Sequence, residues 1–257
     1  MSILTVVSKI VERVVYNQIE KYMTSQNLFY DLQSGFRSSF STDTCLTFLT
    51  DHIRFQMDKG FYTGMVMIDL QKAFDTVDHD ILLHKVKALG FHDLSVSWLK
   101  SYLKDRNKKT DISGTFSDPR VVPCGVPQGP ILGPLLFLIY VNDMEAAVSC
   151  QLILYADDSA LLISGRDVRQ IEESLGIELS SLNGWFVDNK LSIHLGKTEC
   201  ILFGTKSRLR NTSEMNIICG ETKVAAKQSV RYLGVDLDQS LDGKMIAENI
   251  LKRATLA

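Results

Sequence analysis

Leu-Ile-Leu-Tyr-Ala-Asp-Asp-Ser-Ala-Leu-Leu-Ile occupies residues 152–163 and places two adjacent aspartates, Asp157 and Asp158, at the midpoint of a hydrophobic stretch. Apolar residues on both sides predict a strand–turn–strand hairpin with the two acids at its tip. Adjacent carboxylates repel each other, and near an apolar core one of them must be protonated or neutralised by a partner. A bound divalent cation is the usual solution, whereas solvated turn residues are the alternative, because aspartate is common in turns. The pair alone leaves both interpretations open.

The chain has the composition of a folded, nearly neutral protein. Of its 257 residues 45% are hydrophobic and 23% are charged, with a formal net charge of −2, which excludes wholesale disorder. Basic residues form two local groups that either hold phosphates or cover solvated helix ends. The groups are Lys100, Lys104, Arg106, Lys108 and Lys109, and then Lys206, Arg208 and Arg210.

Nothing in the sequence predicts secretion or membrane insertion. The five cysteines are odd in number and widely spaced, which is typical of a reducing compartment rather than a disulfide framework. The longest apolar run, 131–141, is too short to span a bilayer, and the N-terminus lacks a signal-peptide pattern. We therefore expect an intracellular protein, nuclear or cytoplasmic, without membrane contact.

Hydrophobic periodicity predicts a mixture of helices and short strands. Helical spacing favours helices at about 6–23, 42–59, 78–89, 94–103, 135–148 and 168–186. Besides the hairpin, strands are expected at 64–70, 191–195, 199–204, 216–219 and 231–235. The elements alternate without a βαβ rhythm, so we expect an α+β fold with a small, largely antiparallel sheet.

A third acid, Asp69, lies at the end of the buried strand predicted at 64–70. By itself it is best explained as a turn or helix cap. Opposite a hairpin tip with two more acids, however, it would complete a three-carboxylate cluster of the kind that holds two Mg²⁺ ions. Two such ions, about 3.5–4 Å apart, can activate a 3′-hydroxyl and stabilise a leaving pyrophosphate during in-line phosphoryl transfer.

Six segments, in this order, resemble the reverse transcriptase domain of non-LTR (LINE-type, jockey-like) retrotransposons. Together they extend over essentially the whole chain, which makes the resemblance far more specific than a lone Tyr-x-Asp-Asp. The segments are GFRSSFSTDTCL (35–46), MIDLQKAFDTVDHDILLHKV (67–86), CGVPQGPILGPLLFLIYVNDM (124–144), LYADDSALL (154–162), NKLSIHLGKTECILFG (189–204) and RYLGVDLD (231–238).

The resemblance implies a palm-and-fingers polymerase core with a ferredoxin-like antiparallel palm sheet. The implied parts are fingers over 1–60, the first catalytic palm strand over 61–78, a fingers insertion over 79–122, palm over 123–240 and the start of the thumb over 241–257. The chain opens inside the first fingers motif and ends where the thumb should begin, so we expect the thumb to be largely missing.

The resemblance also assigns catalytic roles. Asp69, Asp157 and Asp158 match the metal ligands of the family, which implies two Mg²⁺ ions, with Mn²⁺ as a possible substitute. Lys197 matches the lysine proposed to protonate the pyrophosphate leaving group, a role that suits an ammonium near phosphates.

Four further positions are implied to bind the incoming nucleotide. Phe74 matches the aromatic residue under the sugar, which excludes a 2′-hydroxyl, and Gln128 matches a residue that touches the nucleotide. Gly129, like Gly125, lets the backbone approach the base pair, and Arg37 is suited to pair with the triphosphate. A proline replaces the serine that the family usually has at 130, which alters the backbone of this loop.

Two other groups are given structural roles. Asp75, Asp78 and Asp80 crowd a predicted helix start, where acids cap free N–H groups. Residues 232–234, Tyr-Leu-Gly, resemble the turn that supports the primer end.

The resemblance implies RNA-directed DNA polymerisation on an RNA template, with a DNA primer and dNTPs, and with salt-dependent binding through backbone phosphates. The oligomeric state stays open. One alternative is a truncated, catalytically silent remnant with at most weak nucleic-acid binding. Another is a different palm polymerase. Phe74 and the Tyr-Ala-Asp-Asp tetrad argue against a viral RNA polymerase, and an intron maturase would need a downstream domain.

Overall fold

The computed structural model describes residues 5–104, 106–127, 129, 131–210, 212–220 and 222–243. The chain divides into two compact units, each discontinuous in sequence. Unit 1 comprises Met1–Tyr30, Lys72–Asp143 and Phe186–Ser192, and unit 2 comprises Asp31–Gln71, Met144–Trp185 and Ile193–Ala257. Within the described ranges, every helix is too short or too polar to cross a lipid bilayer.

Unit 1 is mainly helical, whereas unit 2 combines helices with the longest strands of the chain. The helices are α1 (Val6–Ser25), α2 (Thr42–Asp58), α3 (Ala73–Thr76), α4 (His79–Ala88), α5 (Asp93–Leu103), α6 (Leu132–Val141), α7 (Val168–Asp188) and α8 (Lys206–Leu209), with a 3₁₀ helix at Met144–Ala147. The strands are β1 (Tyr62–Ile68), β2 (Asn107–Lys108), β3 (Asp111–Ile112), β4 (Thr115–Phe116), β5 (Arg120–Val121), β6 (Gln151–Tyr155), β7 (Asp158–Gly165), β8 (Glu199–Phe203), β9 (Ile218–Cys219), β10 (Thr222–Lys223), β11 (Ala225–Lys227), β12 (Ser229–Tyr232) and β13 (Val235–Asp238).

Unit 2 is built on a five-stranded sheet in the order β11-β8-β1-β7-β6. All its pairings are antiparallel except that β11 runs parallel to β8, so the prediction of a largely antiparallel sheet is confirmed. The central strand β1 is buried at six of its seven positions, as expected for a strand with partners on both edges and helices on its face.

Helix α2 covers this sheet through a single apolar stripe. Its buried residues Cys45, Leu49, Ile53 and Met57 recur every four positions, the spacing that aligns side chains on one helix face. They share a core with side chains from β1, β6, β7 and β8, including Met65, Ile153 and Phe203. Ser41 begins the helix through a capping box with Thr44.

Unit 1 is organised around α6, which is buried over nearly its whole length. Helices α1 and α4 pack against it. Glu12 on α1 is only 2% exposed, and its carboxylate accepts hydrogen bonds from the Ile131 backbone N–H (2.9 Å) and the Tyr102 hydroxyl (2.7 Å). A side chain from α1 therefore caps the start of α6, where backbone donors lack helical partners.

Three sequence predictions need correction. The helix predicted at 135–148 starts at Leu132 and ends at Val141, because Pro134 is tolerated in the first helical turn. Residues 191–195 form no strand but one isolated bridge, Leu70 with Ile193. Within the single strand predicted at 231–235, Leu233 and Gly234 form a turn that separates β12 from β13, since their φ angles are positive, +47° and +86°.

Candidate active site

Asp69 follows directly after β1 and faces the acidic hairpin. In the antiparallel register of β1 and β7, Ile68 pairs with Ser159, so one further step places Asp69 opposite Asp158. The Asp69 carbonyl accepts a hydrogen bond from the His194 N–H at 2.8 Å, which fixes the backbone at this strand end. The predicted position of Asp69 at the end of a buried strand is confirmed.

The hairpin of β6 and β7 turns through only two residues, Ala156 and Asp157, because Tyr155 pairs with Asp158. Asp157 therefore sits at the second turn position and Asp158 at the first position of β7. Ala156 adopts φ of +58°, a left-handed conformation that is uncommon for residues other than glycine. The predicted strand–turn–strand arrangement is confirmed.

The three carboxylates interact electrostatically. The Asp158 side chain reaches solvent, but burial of the carboxyl raises its pKa, and the negative charges of Asp157 and Asp69 raise it further. Neither neighbour is a cation, so Asp158 lies in a locally negative environment. A divalent cation would relieve this repulsion, and carboxylate oxygens are the ligands that Mg²⁺ prefers.

The donor set therefore fits Mg²⁺ by its chemistry. As they stand, however, no three His, Cys, Asp or Glu side chains within the described residues are gathered as the ligands of one ion.

Lys197 belongs to the same cluster. Its ammonium lies 3.5 Å from the Asp69 carboxylate while remaining 64% exposed. The turn before β8 sets its position, because the backbone N–H groups of Lys197 and Thr198 both donate to the His194 carbonyl. The structure thus brings together Asp69, Asp157, Asp158 and Lys197, all within unit 2.

Arg37 also lies in unit 2, in a segment that runs beside the acidic hairpin. Its guanidinium donates to the Gln33 carbonyl at 3.0 Å and lies 4.4 Å above the ring of Phe40. Burial lowers its pKa, and Asp31 partly offsets this effect. The side chain is therefore half-buried and already engaged with its own segment.

The nucleotide-binding candidates Phe74 and Gly129 belong to unit 1. Phe74, on α3, stacks on Phe137 of α6 with ring centroids 4.4 Å apart. Its carbonyl accepts from the Val126 N–H at 2.8 Å, which ties the loop before α6 to α3. Gly129 is exposed, with φ of +110°.

Glycine at 125 is required by close packing. Gly125 has φ of +88°, and a Cβ placed there would lie 2.7 Å from the Asp75 carbonyl oxygen. The loop can therefore approach α3 only without a side chain at this position. The predictions for Gln128 and Pro130 lie outside the described residues, as does most of the predicted start of the thumb, 244–257.

One residue at this site is missed by sequence reasoning. Gln33 is 2% exposed, and its side-chain amide bonds to the backbone of Ala156. Its position at the start of a polar, glycine-containing segment gives no local signal of this contact. The contact becomes visible only in the folded chain, because the two residues are 123 positions apart in sequence.

An α+β fold with an acidic hairpin beside a third carboxylate defines a palm-and-fingers polymerase core, and solved structures share this fold. A structure of telomerase from Candida albicans in complex with a TWJ fragment of telomeric RNA aligns over 90% of this chain and 38% of its own, with a TM-score of 0.60 and 12% identity. Apo telomerase from Candida tropicalis, truncated from the C-terminal domain, aligns over 91% and 44%, with a TM-score of 0.53 and 15% identity.

Residues 1–237 match the model of the family described as "Reverse transcriptase (RNA-dependent DNA polymerase)", and the chain belongs to this family. It is 35% identical, over 94% of its length, to the probable RNA-directed DNA polymerase from transposon BS of Drosophila melanogaster. It is 29% identical, over 93%, to the RNA-directed DNA polymerase from mobile element jockey of Drosophila funebris. The chain spans 27% and 26% of these relatives. The resemblance seen in the sequence is confirmed.

Proposed function

We propose that this chain is the catalytic core of a non-LTR retrotransposon reverse transcriptase, which extends a DNA primer with dNTPs on an RNA template. One observation carries the proposal. The β1–β7 register sets Asp69 opposite Asp158, and the Asp69 carboxylate contacts Lys197 at 3.5 Å. Three acids and one ammonium at one sheet end suit phosphoryl transfer, in which charge develops on both attacking and leaving oxygens.

The acids would act as metal ligands. Asp69, Asp157 and Asp158 would hold two Mg²⁺ ions, with Mn²⁺ as a substitute, because each offers carboxylate oxygens and the three acids outnumber the one ammonium beside them. When bound, such ions activate the primer 3′-hydroxyl and neutralise charge on the phosphates. Lys197, exposed beside Asp69, would then donate a proton to the departing pyrophosphate.

Nucleotide selection would fall to residues around the loop before α6. Phe74 would exclude a 2′-hydroxyl by occupying its space, while Gln128 and Gly129 would contact the incoming nucleotide. Arg37 would pair with the triphosphate, since a guanidinium fork matches phosphate oxygens. Phosphate contacts would dominate template and primer binding and weaken with salt.

The fingers and palm boundaries given above belong to the same proposal, as does action in the nucleus or cytoplasm.

Primer extension by the purified 257-residue chain tests the proposal directly. On an RNA template with dNTPs and Mg²⁺, we expect incorporation that Asp157→Asn lowers at least about a hundredfold, the scale for losing a group that stabilises transition-state charge. Asp188→Asn removes the same charge from an exposed position at the end of α7 and is expected to retain activity.

Absence of incorporation across Mg²⁺, Mn²⁺ and salt concentrations would contradict polymerase activity of this chain. If template–primer binding persisted under those conditions, the alternative of a silent, nucleic-acid-binding remnant would hold instead.

A further inference from the structure

The side-chain amide of Gln33 makes two of its three hydrogen bonds to the turn that carries Asp157 and Asp158. Its Oε1 accepts hydrogen bonds from the backbone N–H of Ala156 at 3.0 Å and of Gly35 at 2.8 Å. Its Nε2 donates to the Ala156 carbonyl at 3.4 Å. Both backbone groups of one turn residue are therefore satisfied by one buried side chain.

The backbone around Gln33 reinforces this contact. Strand β6 is the outermost strand of the five-stranded sheet, and residues 32–34 run along its open edge. The Leu154 N–H donates to the Leu32 carbonyl at 3.0 Å, and the Ser34 N–H donates to the Leu154 carbonyl at 2.9 Å. The segment is thus fixed to β6 two residues before the turn, which aligns Gln33 with Ala156.

Gly35 lets the segment come against the turn itself. A Cβ at this position would lie 2.2 Å from the Ala156 nitrogen and 2.8 Å from its Cα, distances that no real side chain tolerates. Backbone therefore meets backbone here, and the turn is enclosed by the segment on the side of Gly35.

The turn needs such support because of its own conformation. Ala156 has φ of +58°, and residues in this region persist only where the surrounding structure holds them. Asp157 and Asp158 follow immediately, so any relaxation at Ala156 would move both carboxylates. Neither acid has a side-chain hydrogen bond of its own among the described contacts that would hold the turn in place of Gln33.

We propose that Gln33 is a positioning residue: its amide holds Ala156 in the left-handed conformation and thereby fixes where Asp157 and Asp158 present their carboxylates. The hydrogen bonds of Gln33 to the turn are independent of function, whereas their effect on catalysis rests on the polymerase function proposed above. Gln33 would touch neither nucleotide nor metal.

Two variants separate this role from general packing. Gln33→Met keeps the length of the side chain and removes its hydrogen bonds. Gln151→Met is the matched control. Gln151 lies on β6, the strand to which the Gln33 segment is bound, and its Oε1 is buried without a hydrogen-bond partner among the described residues. Replacing it leaves the turn untouched.

Amide hydrogen exchange of Ala156 is the first measurement, made on the chain without nucleic acid or nucleotide. We expect Gln33→Met to accelerate exchange at this amide by about tenfold or more, the effect of removing a buried hydrogen bond of ordinary strength. The Gln151→Met variant should exchange like the unmodified chain. Equal exchange in all three proteins would overturn the proposal, whether or not the chain polymerises.

Primer extension is the second measurement. We expect Gln33→Met to lower kcat about tenfold or more while KM for the template–primer changes little, since the interaction lost acts on the catalytic groups rather than on binding. Faster exchange with unchanged kcat would overturn the positioning role. If the unmodified chain made no product, the polymerase proposal would fail, and exchange alone would decide whether Gln33 holds the turn.

A milder variant serves if Gln33→Met does not fold. Gln33→Asn keeps an uncharged amide but shortens the side chain by one methylene, which weakens its hydrogen bonds to Ala156 without burying a charge. We expect the Ala156 amide to exchange faster in Gln33→Asn than in the unmodified chain. A rate equal to that of the unmodified chain would overturn the proposal.

Discussion

Phe74 illustrates how a single side chain is held in place before any substrate arrives. Its ring stacks on Phe137 at an interplanar angle of 25°, and its carbonyl is bonded to the Val126 N–H. Phe74 is half-buried, and its ring packs against α6. A ring fixed in this way can exclude a substituent by occupying its space, because it has little freedom to move aside.

Replacing this ring should change sugar selection more than catalysis. We expect Phe74→Val to narrow the preference for dNTPs over NTPs by at least about tenfold, since steric exclusion is lost while the acids stay in place. The measurement is the ratio of kcat/KM for dCTP and CTP on one template. Phe137→Leu removes the stacking partner but not the Phe74 ring, and it serves as the control for packing. Unchanged selectivity in Phe74→Val would remove Phe74 from this role.

At the residue scale, the sequence predicts which charged side chains lie together but not the buried residue that holds their turn. The position of Asp69, Asp157 and Asp158 at the ends of apolar strands predicts that the three acids meet, and the family resemblance adds Lys197. Gln33 was not expected, since an amide in a polar segment has many uses. Only the fold brings it to Ala156, and neither local propensity nor hydrophobic pattern encodes that contact.

At the scale of elements, Asp78 joins two parts of unit 1. It is the N-cap of α4, where one carboxylate oxygen accepts from the N–H groups of Asp80 and Ile81, both at 3.0 Å. The other oxygen lies 2.6 Å from the Lys190 ammonium. Partial burial raises the pKa of Asp78, but these hydrogen bonds and the Lys190 charge outweigh it, so the pKa is lowered overall.

The two functions of Asp78 can be separated. Asp78→Ala should lower the free energy of unfolding by about 0.5–2 kcal/mol through loss of the cap. Asp78→Asn keeps a capping oxygen and should cost less. Because the folded-state pKa is depressed, the contribution of the charge is present above the unfolded pKa, about 3.9, and is lost as pH falls through the folded value.

Urea denaturation at several pH values measures this dependence. The difference between the unmodified chain and Asp78→Asn should be constant near neutral pH and shrink below about pH 4, where the carboxylate becomes protonated. A difference that stayed constant down to the acid limit would mean that the charge contributes nothing and that only the capping geometry matters.

Sequence patterns predicted the helices well and the short strands poorly. Helices α2 and α4 begin within one residue of the predicted starts, 42 and 78, with Ser41 and Asp78 as N-caps, because capping chemistry is local. The error at 231–235 has a backbone cause: Leu233 and Gly234 take positive φ angles within an apolar run, and apolar periodicity alone gives no warning of a turn. The single bridge at Ile193 likewise depends on a partner far away in sequence.

At the scale of the whole molecule, we expect repulsion among the acids of the site to lower the stability of the fold that holds them. The β1–β7 register places two acids side by side and the two-residue turn adds a third. Lys197 compensates only Asp69 directly, and from a mostly exposed position. Sites of this kind commonly reduce stability in return for function, and a ligand that binds only the folded state restores it.

Thermal melting with and without Mg²⁺ tests this relation. In metal-free buffer, Asp158→Asn should melt at a higher temperature than the unmodified chain, since one of three mutually repelling charges is removed. Mg²⁺ should raise Tm of the unmodified chain and raise that of Asp158→Asn less, because the variant offers fewer anionic ligands.

Two controls accompany this measurement. Asp188→Asn should respond as the unmodified chain does, and NaCl at equal ionic strength separates binding from screening. An equal Mg²⁺ response in all three proteins would mean that the acids do not bind a shared cation. Mg²⁺ would then not reduce the repulsion among them.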